Sequence, residues 1–361
     1  MTPTQKLFGK CDDFLKHTLN HATQAIKPIQ VRLDHGRLTL RQVGVLEYLP
    51  DRPYSEALVL SAGIHGNETA PIELLNLLVD ELLNGQLDVT RPTLIIFGHP
   101  AAMMQQSRFI AHNMNRLFCG VHRGDGITDT LDAQRANILE AELKRFHQHS
   151  PIREHYDFHT AIRGSVYSRF AVCPFQNIDL TQTAQHTFLA ACGVEAILLQ
   201  DRPAATLSAF SAAAFSDSDS NTFSYTVELG QALPFGKNNL SSYQNTLQAL
   251  HRLLGDQRPL RADLQAAYQT TCLPIYQTKA SELRFFTVTH EIIHSGQGFS
   301  LNISESVENF SVFPKGTEIW RDRQACYQVQ HPVEYIAFPN SQVKPGERAG
   351  LMLIETNVPE N

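Results

Sequence analysis

Leu58-Val-Leu-Ser-Ala-Gly-Ile-His-Gly-Asn-Glu-Thr-Ala-Pro-Ile-Glu-Leu-Leu75 is the stretch on which the fold reading turns. Leu58, Val59 and Leu60 form an apolar, β-forming run that reads as a buried strand. Gly63 and Gly66 break it. From Pro71 to Asp80 the apolar residues recur at the spacing of an amphipathic helix. His65 and Glu68 thus lie where a strand hands over to a helix, at the strand's carboxyl end. Open α/β sheets bind their ligands in the crevice outside such ends. An imidazole and a carboxylate three residues apart on that turn can converge on one divalent cation. In a chain with 16 His the pair alone is weak evidence, and it needs a third ligand.

His159 supplies one. It closes the strand-like run Tyr156-Asp-Phe-His159, and Gly164 marks the loop beyond. Two histidines and one carboxylate are the usual protein ligands of a catalytic zinc, with a position left for water whose pKa falls to about 7. Asp157 shares the strand face of His159 and is placed to orient its ring. Glu228 ends the β-rich run Thr222–Val227 just before Gly230, where a carboxylate can shuttle a proton. Arg108, Asn115 and Arg116 follow the strand Thr93–Phe97 and the turn at Gly98-His-Pro100. Guanidinium groups suit an anionic substrate, or an oxyanion developing at a carbonyl. Singly, each feature has an ordinary alternative: a solvated turn, a core histidine, a strand-end Glu or surface arginines.

Taken in order, Gly63-Ile-His-Gly-Asn-Glu68, Asn113-Met-Asn-Arg116, Asp157-Phe-His-Thr160 and Val227-Glu-Leu-Gly230 resemble the succinylglutamate desuccinylase and aspartoacylase family. His159-Thr-Ala-Ile-Arg-Gly-Ser165, Ala232-Leu-Pro-Phe-Gly236, His331–Asn340 and Arg348–Leu353 lean toward its desuccinylase branch, so the likeness spans residues 45 to 355. The resemblance implies an α/β, zinc-carboxypeptidase-like mixed sheet flanked by helices, with a smaller β-rich C-terminal domain. It implies one zinc on His65, Glu68 and His159, with Glu228 as general base and acid. Arg108, Asn115 and Arg116 would contact substrate, Arg108 also serving catalysis, and Arg163 would meet a substrate carboxylate. The family commonly has Asp where this chain has Asn113, which removes a charge behind the site.

A rival motif, His290-Glu-Ile-Ile-His294, matches H-E-x-x-H, which binds zinc only on a helix. Its neighbours Phe285, Phe286, Val288, Ile292 and Ile293 favour a strand. There, residues four apart are about 13 Å from each other, too far to share a metal.

At 361 residues and 42% hydrophobic the chain can bury a large core, and it is expected to form two domains, 1–255 catalytic and 256–361 β-rich. Asp256-Gln-Arg-Pro259 reads as the boundary. Helices are expected over Leu131–His147 and Ser241–Leu254, and a surface loop near the site, with a lid as the alternative, over Ser208–Ser220. A net charge of −6 gives no basic footprint for nucleic acid. No apolar run is long enough for a membrane span, and no signal peptide is evident. Six scattered cysteines suggest reduced thiols in the cytoplasm. Oligomeric state is open.

The expected activity is zinc-dependent hydrolysis of N-succinyl-L-glutamate to succinate and L-glutamate, the last step of the arginine succinyltransferase route of arginine catabolism. Two alternatives stand beside it. One is another N-acyl amino acid deacylase or a carboxypeptidase on the same scaffold, and the other is a non-catalytic binding protein.

Overall fold

The computed structural model describes residues 2–161, 163–174, 183–214, 221–255, 282–296 and 298–356. The strands of the first half are β1 (Ile29–Leu33), β2 (Gly36–Gln42), β3 (Val45–Pro50), β4 (Glu56–Ala62), β5 (Thr93–Phe97) and β6 (Ile152–Ala161). Those of the middle are β7 (Phe170–Cys173), β8 (Ala196–Leu199), β9 (Asn221–Gln231) and β10 (Arg284–Ile293). The last are β11 (Ser300–Leu301), β12 (Ser311–Pro314), β13 (Glu318–Arg321), β14 (Cys326–Gln328), β15 (Val333–Ala337) and β16 (Arg348–Thr356). The helices are α1 (Pro3–Phe8), α2 (Phe14–Asn20), α3 (Thr69–Leu83), α4 (Pro100–Met104), α5 (Leu131–Phe146), α6 (Thr183–Ala191), α7 (Leu207–Ala213) and α8 (Gln244–Leu254).

Thirteen strands form one sheet in the order β1-β2-β3-β5-β4-β6-β9-β7-β8-β10-β16-β15-β12. The pairs β5–β4, β4–β6 and β6–β9 run parallel, and antiparallel strands continue to either side. The run around Leu58 is apolar on both faces because both faces are covered. Leu58, Leu60 and Ala62 pack into the cluster holding Leu74, Leu78 and Leu247, under α3 and α8. Ala57 and Val59 pack into the opposite cluster with Leu139, Leu143 and Phe210, under α5 and α7. A helix-flanked mixed sheet with a smaller β-rich C-terminal part is the expected fold class.

The C-terminal strands extend this sheet. Strand β10 pairs parallel with β8 and antiparallel with β16. One apolar cluster joins Phe170, Val172 and Leu198 to Phe286, Val288, Leu351 and Leu353 across that join. A second small sheet, β11-β13-β14, sits outside it. The expected boundary at Asp256–Pro259 lies outside the described residues, as do 215–220 of the expected loop. The rest of that loop is helix: α7 starts at the N-cap Thr206, whose hydroxyl accepts from Ala209 N–H. Ser208 and Ser211 are buried there, bonded to Thr226 (2.7 Å) and His147 (3.0 Å), so the polar composition serves buried hydrogen bonds instead of solvent.

His290 lies in β10, with His294 just past its end. The His290 ring stacks on Tyr327 at 4.0 Å between centroids and accepts from Trp320 Nε1 at 3.1 Å, while His294 packs on Phe299. These two histidines belong to an aromatic cluster, and no metal pair is formed.

Candidate metal and catalytic site

The β4–α3 turn is shaped by two glycines. Gly63 has φ +72°, a conformation that side chains with a Cβ rarely adopt. A Cβ on Gly66 would lie 2.2 Å from the carbonyl carbon of Ala102, so the turn can lie against α4 only with glycine there. Gly66→Ala should therefore destabilise the chain by about 1–3 kcal/mol. Denaturant midpoints of variant and parent check this, and equal midpoints would mean that the turn has room to shift.

This turn aims His65 and Glu68 toward the carboxyl ends of the strands, and β6 brings in His159. All three are buried, and among the described residues they form a group whose ligand atoms lie within 4.8 Å of one another. Glu68 is the centre. Its Oε1 is 2.9 Å from His65 Nδ1, and its Oε2 is 2.8 Å from His159 Nδ1 and accepts from Thr160 N–H at 3.2 Å. Arg108 Nη1 donates to Oε1 at 2.7 Å. Burial alone would raise the Glu68 pKa, but His65 and His159 outweigh it and hold the carboxyl well below its usual range. Burial pushes His65 down to about 4. For His159 burial is outweighed by Asp157 and Glu68, which raise it.

The far side of each imidazole is fixed by an acceptor. His65 Nε2 meets Asn113 Oδ1 at 3.0 Å, and His159 Nε2 meets Asp157 Oδ2 at 2.9 Å. Such partners hold the proton on Nε2 and leave the Nδ1 lone pair inward, as metal-binding imidazoles require. Asn113 fills its place as a neutral acceptor, so the ring is oriented without the carboxylate charge common in the family. Behind Asp157, Ser61 Oγ donates to Asp157 Oδ1 at 2.6 Å and lies 2.8 Å from His155 Nε2. Two inward Nδ1 atoms and a carboxylate, all buried, are a donor set that fits zinc.

Glu228 pairs with His159 across the β6–β9 ladder, so both stand at the same level of the sheet. Its Oε2 is buried without a hydrogen-bond partner. Burial, then the charge of Glu68, pushes its pKa up to about 7. A carboxyl poised there can both take and give a proton near neutrality.

The remaining expected residues lie on the segment that crosses the site. Arg108 touches Glu68, as above. Asn115 is buried, and its Oδ1 accepts from Leu207 N–H at 3.0 Å, so its Nδ2 is the group left to donate. Arg116 is exposed, with Nη1 donating to Asn115 O at 2.7 Å. Although part of its surface meets solvent, crowding by the surrounding protein, then the charges of Arg348 and Arg108, lower its pKa. Arg348, the first residue of β16, was passed over in the sequence except as part of a motif. Its charge acts on Arg116, so it brings a C-terminal guanidinium into that neighbourhood. Arg163 faces elsewhere: its Nη1 donates to the carbonyls of Glu305 and Val307, the latter at 2.9 Å. Asn309 N–H donates to Gly164 O at 2.9 Å, so this loop is tied to the C-terminal part at several points. To reach a substrate carboxylate, Arg163 would have to use its other nitrogens or release one of these carbonyls.

A parallel-centred α/β sheet with a buried His-Glu-His set and a nearby carboxyl is an arrangement suited to a metal-assisted hydrolase. Residues 54–254 match the succinylglutamate desuccinylase/aspartoacylase catalytic domain, and residues 281–356 match the barrel-sandwich hybrid domain of the same proteins. The succinylglutamate desuccinylase of Shewanella denitrificans is 35% identical over 351 residues, 95% of each chain. That of Yersinia pestis is 36% identical over 314 residues, 86% of this chain and 88% of the other. Among solved structures, the Vibrio parahaemolyticus desuccinylase superposes with a TM-score of 0.81 at 30% identity, covering 96% of both chains. The Chromobacterium violaceum enzyme does so at 0.77 and 31%, covering 96% of this chain and 99% of that one. The chain belongs to the succinylglutamate desuccinylase/aspartoacylase family and is an enzyme that hydrolyses an amide bond.

Proposed function

We propose that this enzyme hydrolyses N-succinyl-L-glutamate to succinate and L-glutamate, with one zinc held by His65, Glu68 and His159. The observation that carries the reading is 35% identity across 95% of a curated desuccinylase, together with the three converging ligands. In that role the enzyme performs the last step of the arginine succinyltransferase route. No helix of the described residues is long and apolar enough to cross a membrane. Five described cysteines are free thiols, which supports a cytoplasmic setting. We take residues 1–255 as the catalytic unit and 256–361 as the second.

When bound, zinc supplies Lewis acidity toward the scissile carbonyl and toward water. Glu228 takes the proton of the attacking water on its carboxylate and returns it to the departing nitrogen, which leaves as an amine. Arg108 offers its guanidinium to the negative charge that develops on the carbonyl oxygen. The substrate carries three carboxylates. We assign Arg116, Asn115 through its Nδ2, and Arg163 to these carboxylates, with Arg348, whose charge acts on Arg116, as a further candidate. Bidentate guanidinium–carboxylate pairs give such a cleft its selectivity.

The distal carboxylate of the succinyl group is the feature that an acetyl group lacks. A charge-assisted hydrogen bond contributes about 1.5–3 kcal/mol. The kcat/KM for succinylglutamate should therefore exceed that for acetylglutamate or acetylaspartate by at least about tenfold. A preference for acetylaspartate or for dipeptides would replace the proposed substrate by another acyl amino acid or a peptide on the same site.

A further inference from the structure

Asp132 is wholly buried in the first turn of α5, and its carboxylate reaches away from the helix to four donors. Oδ1 meets His99 Nε2 at 2.9 Å and Ile110 N–H at 3.0 Å. Oδ2 accepts from Ala111 N–H at 2.9 Å and His112 N–H at 3.2 Å. Three consecutive main-chain amides thus converge on one carboxylate. Burial alone would raise its pKa, but these bonds outweigh burial and hold it well below the usual range, so the clamp is ionised at working pH.

The clamped amides lie between two residues that touch the ligand set, Arg108 on Glu68 and Asn113 on His65. One turn along α5, Arg135 donates to the carbonyls of Gly98 (2.6 Å) and Phe97 (2.8 Å). His99, the fourth partner of Asp132, donates its own N–H to Gly63 O at 2.8 Å, in the turn that carries His65. The first turn of α5 therefore fixes both the β5–α4 turn and the segment bearing Arg108. Nothing in the proposed chemistry uses Asp132 directly.

We propose that Asp132 is a positioning residue for amide hydrolysis, a three-amide clamp that sets the Arg108 guanidinium against the reacting carbonyl. This rests on the function proposed above. The test uses the zinc-loaded full chain as parent, Asp132→Asn, Arg108→Met and the double variant. It measures succinate release, zinc content and amide hydrogen exchange over 110–112.

Asp132→Asn should keep about one zinc per chain and lose at least about tenfold in kcat/KM, while exchange at 110–112 rises at least about tenfold. In the Arg108→Met background the same change should cost less than about threefold, because the guanidinium it positions is gone. A purely structural role would give multiplying losses in the two backgrounds, and that result, or unchanged exchange, overturns the clamp. Should Asp132→Asn fail to fold, His99→Gln removes one of the four bonds and must show the same non-additivity in smaller measure. A parent chain that releases no succinate defeats the proposed substrate, and hydrogen exchange then still decides whether the clamp exists.

Discussion

Glu228→Gln should leave about one zinc bound per chain while kcat falls by roughly two to four orders of magnitude. The amide has the shape of the carboxyl but cannot accept the proton of water and return it to nitrogen. Glu228 is suited to that exchange because burial and the Glu68 charge push its pKa up to about 7. A zinc-bound variant that turns over at near the parent rate would remove Glu228 from the reaction. The test separates chemistry from metal binding, since Glu228 is outside the group of three ligands.

Replacing His65, Glu68 or His159 by Ala should abolish turnover together with the metal, weakening zinc affinity by at least about 100-fold, the upper end of what loss of an outer partner costs. Glu68→Ala should be the most disruptive of the three. Glu68 is within hydrogen-bond distance of both imidazoles and accepts from Arg108, so its loss leaves three buried or half-buried groups facing one another without their shared anion. His290→Ala and His294→Ala, in the aromatic cluster of the C-terminal strands, should retain zinc in full. Metal analysis of the purified variants checks both halves. Zinc loss in the His290 and His294 variants with retention in His65→Ala would place the metal elsewhere.

The three residues of the candidate metal site could be picked out in the sequence because their signals are local. A strand, two glycines, an imidazole, a carboxylate and a helix follow one another within 25 residues around His65. His159 and Glu228 each end a β-rich run, and the parallel β6–β9 ladder then brings them level. Asp132 gave no such signal. Its partners are main-chain amides 20–22 residues earlier and a histidine 33 residues earlier, which no side-chain pattern encodes. Arg348 was similarly hidden, since only the pairing of β16 with β10 and of β10 with β8 carries it toward Arg116. The same non-local parallel pairing of β10 with β8, by which the C-terminal strands continue the main sheet, has no local sequence pattern. For α7, Ser and Ala composition suggested a loop, yet the Thr206 cap and buried partners for Ser208 and Ser211 make it a helix.

Succinate release from N-succinyl-L-glutamate, followed before chelation, after removal of zinc and after zinc is restored, addresses the central claim. The expected result is activity that disappears with the metal and returns when about one equivalent per chain is added back. Undiminished succinate release from fully chelated, metal-free protein would contradict it.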